Sequence, residues 1–485
     1  MTIFGVPHLN PERQNPKNLI SLFSKPIGFG QAQGNGAEVF KNAPKKEREF
    51  IPADAALPVW TAPSVSDVFT YQPTLTGEAQ ETKMTSLING GQIFSNVSQL
   101  MNNAKQSVML NLYNLQNPAL YPEKSAGTNT PGAAEQAQVI ENLIALKKKG
   151  LSVKVILDNH YDKEFGERHN DRTIQHLRNN GVEVVTYPDF SKISHVKLLI
   201  VDGQFAVIGG MNWGNHSTVN HDAAVMIEGP DVRNIYNQVF KTDWVTSGGD
   251  VTKIPDMPDF AEGKIKVLTT SQSEAADGGS QEIFHEIIRQ IGKAEESIYA
   301  ELFVLTQQDI IDNLIFAHKR LTKNGKEGVK LLIDPGLFFA FPNTRKGVQK
   351  LAAAGIPVKF YKANRNEDQK LHAKWAVFDR KKLLIGSANW SAVGLLSDTG
   401  GRPSDNDGVA PAPTPRTSKG NHEANVLIES EKLAKPYVEQ FWFDWRARSF
   451  PILEKKPDGS GGWQSVKPGE SDAPPSPEPK KLLFA

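Results

Sequence analysis

The segments His195-Val-Lys197-Leu-Leu-Ile-Val-Asp202 and His372-Ala-Lys374-Trp-Ala-Val-Phe-Asp379 carry one pattern, His-x-Lys-x4-Asp, twice in the same chain. Seven residues beyond each Asp a second shared element begins, Gly209-Gly210-x-Asn212-Trp213 in the first copy and Gly386-Ser387-x-Asn389-Trp390 in the second. Apolar residues fill most of the interval between Lys and Asp, so each motif reads as a strand. On it His and Lys, two residues apart, project from one side. With 11 His in the chain, chance would supply about 0.03 matches to one such motif. Two copies with the same downstream element imply a repeat.

Outward from the motifs the repeat continues. Phe94 to Leu115 matches Phe284 to Leu305 at an offset of 190, Val153-KVILD matches Val329-KLLID at 176, and Gly181-VEVVTY matches Gly355-IPVKFY at 174. Past the motifs, Asn220-HDAAVMIE matches Asn421-HEANVLIE at 201, and Phe240-x-x-Asp243-Trp244 matches Phe441-x-x-Asp444-Trp445 at the same offset. The matches are collinear, so the chain reads as a tandem duplication with halves at 85–250 and 263–450. Val-, Ile- and Leu-rich strands alternate with helical stretches such as 134–149 and 345–354, which predicts an α/β sandwich in each half. Such a pair is expected to pack about a pseudo-twofold axis. Residues 1–84 read as an irregular arm and 455–485 as a disordered Pro-rich tail. Two loop-like extra stretches, 116–136 and 395–420, are expected to border a cleft.

Composition narrows the function. The 485 residues contain no Cys, which excludes disulfides, thiolate metal sites and a cysteine nucleophile. Formal charge is +1, without the basic excess that phosphate-rich nucleic acids select, and this disfavours nucleic acid as a partner. No run of eighteen or more residues is continuously apolar, so no transmembrane helix is expected. The amino terminus makes a poor signal peptide. A cytoplasmic or peripheral-membrane location follows as the expectation, and a monomer, because both motifs lie in one chain.

These paired motifs resemble those of the phospholipase D superfamily, in particular its bacterial cardiolipin synthase and phosphatidyltransferase branch. The resemblance covers both halves but neither the arm nor the tail. It implies one active site shared by the halves, phospholipid substrate at a membrane surface, a water or alcohol acceptor, and a ping-pong course through a phosphohistidine with no metal or other cofactor. A phosphodiester is anionic and resists attack, so it needs a nucleophile, a proton donor for the leaving oxygen and cations for the remaining oxygens. His195 and His372 fit the first two needs, with His195 expected as nucleophile and His372 as acid. Lys197, Lys374, Asn212, Asn389 and the Ser387 hydroxyl are expected at the phosphate. Gly210 departs from the Ser usual in the pattern.

A reactive imidazole needs a carboxylate to hold one tautomer. Asp222 and Glu423, on the strand after each motif, are implied for this. Asp202 and Asp379 complete the catalytic motifs, with a structural hydrogen-bonding role implied. His221 and His422, one residue before those carboxylates, are expected to face the other way and to serve structure. Trp213, Trp390 and the Phe240, Trp244, Phe441 and Trp445 stripe read as packing residues. A nuclease of the same superfamily is the alternative activity. A phosphate-binding scaffold without turnover is the non-enzymatic one, against which two complete motifs weigh.

Overall fold

The computed structural model describes residues 81–116, 119–121, 133–162, 167–188, 193–214, 217–364, 369–398, 419–455 and 463–465. The expected arm up to 80 and most of the 116–136 and 395–420 stretches lie outside the described residues.

The first half contains strands β1 (Lys83–Ile88), β2 (Ser107–Leu112), β3 (Ser152–Leu157), a short hairpin β4 (Tyr161–Asp162) and β5 (Glu167–Arg168), β6 (Glu183–Thr186), β7 (Lys197–Val201), β8 (Phe205–Gly209) and β9 (Ala223–Glu228). The second contains β10 (Ile265–Ser271), β11 (Ser280–Gln281), β12 (Ser297–Leu302), β13 (Gly328–Ile333), β14 (Val358–Tyr361), β15 (Lys374–Phe378), β16 (Lys382–Gly386), β17 (Glu423–Glu429) and β18 (Ser449–Pro451). The two sheets run β1-β9-β8-β7-β2-β3-β6 and β11-β10-β17-β16-β15-β12-β13-β14-β18. Without the edge strands β11 and β18 the order is the same, so the duplicated α/β architecture read from the sequence is borne out. Most of the expected 455–485 tail also lies outside the described residues; within it, Trp463–Ser465 pairs with Leu453–Lys455 as a further short hairpin.

Side-chain alternation explains how the layers form. On β7, Leu198 and Ile200 enter a cluster shared by the two sheets, while Leu199 and Val201 enter the core under the first half's helices. On β15, Trp375 and Val377 face the shared cluster, and Ala376 and Phe378 face the second half's outer core. Period-two strands with apolar residues on both faces therefore lie between an outer layer of helices and a shared inner layer, to which the helical segments 232–246 and Glu431–Ala447 also contribute. Each aliphatic side chain so buried is worth about 1.5–3 kcal/mol, against about 0–1 kcal/mol for an exposed ion pair, so the shared cluster is what joins the halves. The expected packing roles of Phe240, Trp244, Phe441 and Trp445 are met in this cluster.

Two buried histidines tie the halves at its edge. His221 of the first half places Nε2 at 2.7 Å from Glu301 and 3.1 Å from Asp444, both of the second half, and stacks on Tyr361. His422 of the second half reaches Asp243 of the first at 2.8 Å and stacks on Tyr187. The clusters correspond, with two differences. Nδ1 of His221 meets the side chain of Asn89 at 2.7 Å, whereas Nδ1 of His422 meets the carbonyl of Thr270 at 3.1 Å. Where one has Glu301, the repeat equivalent is Asn111, whose Nδ2 donates to Asp243 at 2.6 Å. His221, Glu301 and Asp444 form the one group among the described residues whose ligand atoms could converge on a cation. The corresponding cluster around His422 does the same mechanical work with one carboxylate, and ion pairing with hydrogen bonds accounts for both.

The extra carboxylate has a consequence for stability. Burial opposes protonation of His221, but Tyr361, Asp444 and Glu301 outweigh it and hold the imidazolium well above its ordinary range. Burial then pushes the second carboxyl, Glu301, up to about 7. A carboxyl raised in the folded state keeps a proton that the unfolded chain has lost above its ordinary pKa of 4.5. The cost this one carboxyl places on the fold is therefore absent below that ordinary value and grows as pH rises towards 7. We predict that Glu301→Gln, which copies Asn111, removes up to about 3 kcal/mol of this cost. Urea unfolding of both forms at pH 5 and pH 8 checks it, and equal pH dependence in the two would refute the assignment.

Candidate active site

The His-x-Lys segments enter β7 and β15 at the ends where the two sheets meet, and each is fastened to the other half. His195 donates its backbone N-H to the carbonyl of His422 at 2.7 Å, and His372 donates to that of His221 at 2.8 Å. The carboxylates next in sequence to those acceptors cross over as well. Nδ1 of His195 lies 2.9 Å from Glu423, and Nδ1 of His372 lies 2.7 Å from Asp222. All four side chains are buried. The sequence left the pairing of carboxylate with histidine open, and in the structure both motif imidazoles are oriented by the opposite half. With Nδ1 occupied, Nε2 is the atom left to react.

A lysine accompanies each imidazole. Lys197 donates to the carbonyl of His195 at 2.5 Å, and Lys374 donates to that of His372. Burial, uncompensated by the neighbouring carboxylates, drives Lys197 well below its ordinary range and Lys374 down to about 8. Burial also lowers both histidines, with the lysines of both motifs adding to the effect, and His372 falls to about 3. Each imidazole thus lies within electrostatic reach of the lysine of the other motif. An anion between them relieves the repulsion and lets an imidazole hold a proton.

Asn212 and Asn389 keep buried side-chain oxygens that have no hydrogen-bond partner among the described residues. These are acceptors, so a role at phosphate oxygens falls to the Nδ2 groups as donors. Ser387 differs from its expected role. Its hydroxyl donates to Glu423 at 2.6 Å and its oxygen accepts the N-H of Ala424, which commits it to the carboxylate that orients His195. Gly210 has a matching reason. A Cβ there would stand 2.8 Å from Oδ1 of Asp222 and 3.3 Å from Cδ of Lys374, so the shorter acid leaves no space for a serine.

Asp202 and Asp379 lie at the far ends of β7 and β15, roughly 20 Å along the strand from the histidines. Each sits in the left-handed region, with φ of 54° and 51°. Asp202 accepts the N-H groups of Lys105, Gln106 and Ser107, and Asp379 those of Glu295, Glu296 and Ser297. They clamp the turns into β2 and β12, which is the structural role implied for them, and they touch no reacting group. Trp213 and Trp390 are buried in the outer cores, as expected of packing residues.

Sequence reasoning passed over a second pair of acids. Asp158 accepts the N-H of Ser194 at 2.7 Å, and Asp334 accepts that of Leu371 at 3.0 Å, fixing the residue before each motif histidine. Both terminate the Val-Lys-x-x-x-Asp repeat, so their recurrence was the available signal. Asp243 and Asp444 recurred in the same way inside what reads as an aromatic packing stripe.

Among solved structures, the chain is similar to phosphatidylserine synthase from Haemophilus influenzae Rd KW20, with a TM-score of 0.53 over 77% of this chain and 88% of that one. At 12% identity this likeness concerns the fold. Fold and paired motifs together define a two-motif protein of the phospholipase D superfamily. A family model described as cardiolipin synthase, PLD-like domain, matches residues 97–244 and 287–399, more than half of the chain, and the chain belongs to that family. Curated relatives include cardiolipin synthase 1 of Bacillus anthracis, 24% identical over 342 residues, covering 64% of this chain and 60% of the relative. The cardiolipin synthase of Clostridium perfringens (strain 13 / Type A) is 23% identical over 341 residues, covering 65% and 64%. The chain thus spans less than two thirds of the length of these relatives.

The depressed lysine gives a binding prediction. Lys374 carries its charge below about 8 and loses it above. An oxyanion favours the charged form, so binding of diethyl phosphate at pH 8 should take up a fraction of a proton, and affinity should fall as pH rises further. Calorimetry in two buffers of different ionisation enthalpy measures the uptake. Buffer-independent heats together with constant affinity from pH 7 to 9.5 would contradict the electrostatic reading.

Proposed function

We propose that the chain transfers the phosphatidyl group of a phospholipid to an alcohol or water through a phosphohistidine. The observation that carries this reading is the reciprocal arrangement of two imidazoles, each held at Nδ1 by the other half's carboxylate and flanked by buried lysines. In the first step Nε2 of His195 attacks phosphorus. The P-O bond to the head group breaks, and its electron pair leaves with the oxygen, which takes a proton from Nε2 of His372. In the second step the acceptor hydroxyl returns a proton to His372 as its oxygen attacks phosphorus and the P-N bond breaks. Glu423 and Asp222 hold the two imidazoles throughout. Lys197 and Lys374, with the amides of Asn212 and Asn389, stabilise the non-bridging oxygens, where charge develops.

No helix among the described residues is long and apolar enough to cross a membrane. The reading therefore puts the chain at a membrane surface, reaching phospholipid from outside the bilayer, as one chain containing both motifs. The lysines supply the positive charge that a metal ion supplies elsewhere, so activity should survive EDTA.

The test is product analysis after incubation with phosphatidylglycerol, phosphatidylcholine or DNA, with and without an added alcohol. Phosphatidic acid or a phosphatidyl alcohol supports the reading, whereas cleavage of DNA alone would replace it with a nuclease. His195→Ala and His372→Ala should each lower turnover by about a thousandfold or more. Half of the activity surviving in either would mean two independent centres. With a slow substrate, peptide mapping should find the phosphoryl adduct on His195. An adduct on His372 would exchange the two roles.

A further inference from the structure

The two sides of the active site are built from equivalent positions, yet their chemistry is opposite. After β2 the first half continues Tyr113-Asn114, and after β12 the second continues Phe303-Val304. After the aspartates that end the next repeat element, the first half has His160 and Tyr161 where the second has Gly336 and Leu337. Four polar or hydroxyl-bearing residues thus face three apolar residues and a glycine.

The structure shows how one aspartate position produces both walls. Asp158 and Asp334 each use one oxygen to hold the residue before a motif histidine. The other oxygen of Asp158 lies 2.5 Å from Nδ1 of His160, and the His160 ring stacks on His169 at 5.0 Å. His169 stacks in turn on Tyr113, also at 5.0 Å, and Tyr113 meets the ring of His195 edge-on at 5.2 Å. The other oxygen of Asp334 instead caps the helix Pro335–Ala340 by accepting the N-H groups of Gly336 and Leu337. That helix carries Leu337 and delivers Phe341, which close with Phe303 and Val304 into a separate apolar cluster. Phe303 lies 4.7 Å from the ring of His372.

We infer that the cluster of Phe303, Val304, Leu337 and Phe341 is a water-excluding wall on the acceptor side, selecting an alcohol carried on an apolar body over water. The inference rests on the proposed phosphatidyl transfer, with His372 receiving the acceptor's proton. A water molecule held in a protein needs two to four polar partners, and apolar-lined space stays dry. Beside His372 the imidazole meets hydrocarbon, so water gains little there. An alcohol bearing an acyl or alkyl body gains the burial of that body, about 25 cal/mol for each Å² removed from water. On the other side Tyr113 holds the equivalent position beside His195. Chemistry balances as in ordinary transfer. The acceptor O-P bond forms, the P-N bond to His195 breaks, and the acceptor proton passes to His372. Choosing between acceptors occurs after the phosphohistidine forms, so it shows in the product ratio whichever step limits the rate.

The experiment measures, with the full chain, the ratio of phosphatidyl alcohol to phosphatidic acid formed from phosphatidylglycerol vesicles at fixed concentrations of n-butanol. Phe303→Tyr introduces the hydroxyl of Tyr113 with little change in volume, and Leu337→Ser opens the wall at a second point. Each should raise the hydrolysed fraction by about fivefold relative to the unaltered chain, a modest change in relative barrier. Tyr113→Phe should leave the ratio where it was, whatever its effect on rate. A ratio unmoved in Phe303→Tyr and Leu337→Ser, with turnover retained, overturns the wall. So does an unaltered chain that makes mostly phosphatidic acid at saturating butanol. If one variant fails to fold, the other decides. Absence of either lipid product from the unaltered chain would instead defeat the proposed phosphatidyl transfer itself.

Discussion

The structure depends on an exchange across the interface, in which each half orients the other half's histidine. Glu423 reaches His195 and Asp222 reaches His372, and backbone hydrogen bonds from the same histidines land on the residues just before those carboxylates. Neither half contains a complete centre. The centre is assembled only when the shared cluster between the sheets is closed. A few tenths of an ångström in the packing of β7 against its counterpart would therefore be felt at the imidazoles, because protein interiors transmit strain instead of absorbing it.

This exchange also explains the buried charge around it. Two lysines, two carboxylates and two imidazoles enclosed together would be costly if any were isolated. The fold meets that cost with paired contacts: carboxylates on imidazoles, lysines on the carbonyls of their own motif, and Ser387 on Glu423. Outside the centre the same device recurs in His221 and His422, whose carboxylate partners come from the opposite half. Four reciprocal contacts of this kind set the register of one sheet on the other. The apolar cluster supplies the adhesion, and the polar contacts supply the alignment.

Duplication supplied two copies of each position, and the differences between copies are where function has specialised. Gly210 with Asp222 and Ser387 with Glu423 are alternative ways to fill one space, a short acid beside glycine or a long acid braced by a hydroxyl. Glu301 against Asn111 adds a titrating group to one clamp. His160 against Gly336 turns one aspartate towards a stack of aromatic rings and the other towards a helix terminus. A symmetric pair of motifs thereby sits in an asymmetric surround.

The sequence by itself determined the duplication, the alternating α/β elements, the two histidines and lysines, and the recurrence of Asp222 and Glu423. All of these follow from local periodicity and from residues repeated at constant offsets, which one chain displays without folding. It also carried Asp158, Asp334, Asp243 and Asp444 as repeated letters, but gave no means of telling a clamp from an exposed acid or a packing stripe. Only the tertiary structure decided that each carboxylate serves the other half's histidine, that the hydroxyl of Ser387 turns to Glu423, and that one wall is polar and the other apolar. The first two are contacts between residues separated by 36 or more positions. Such pairings are selected by the packing of one sheet on the other, and no local pattern encodes which of two equivalent partners will be nearer.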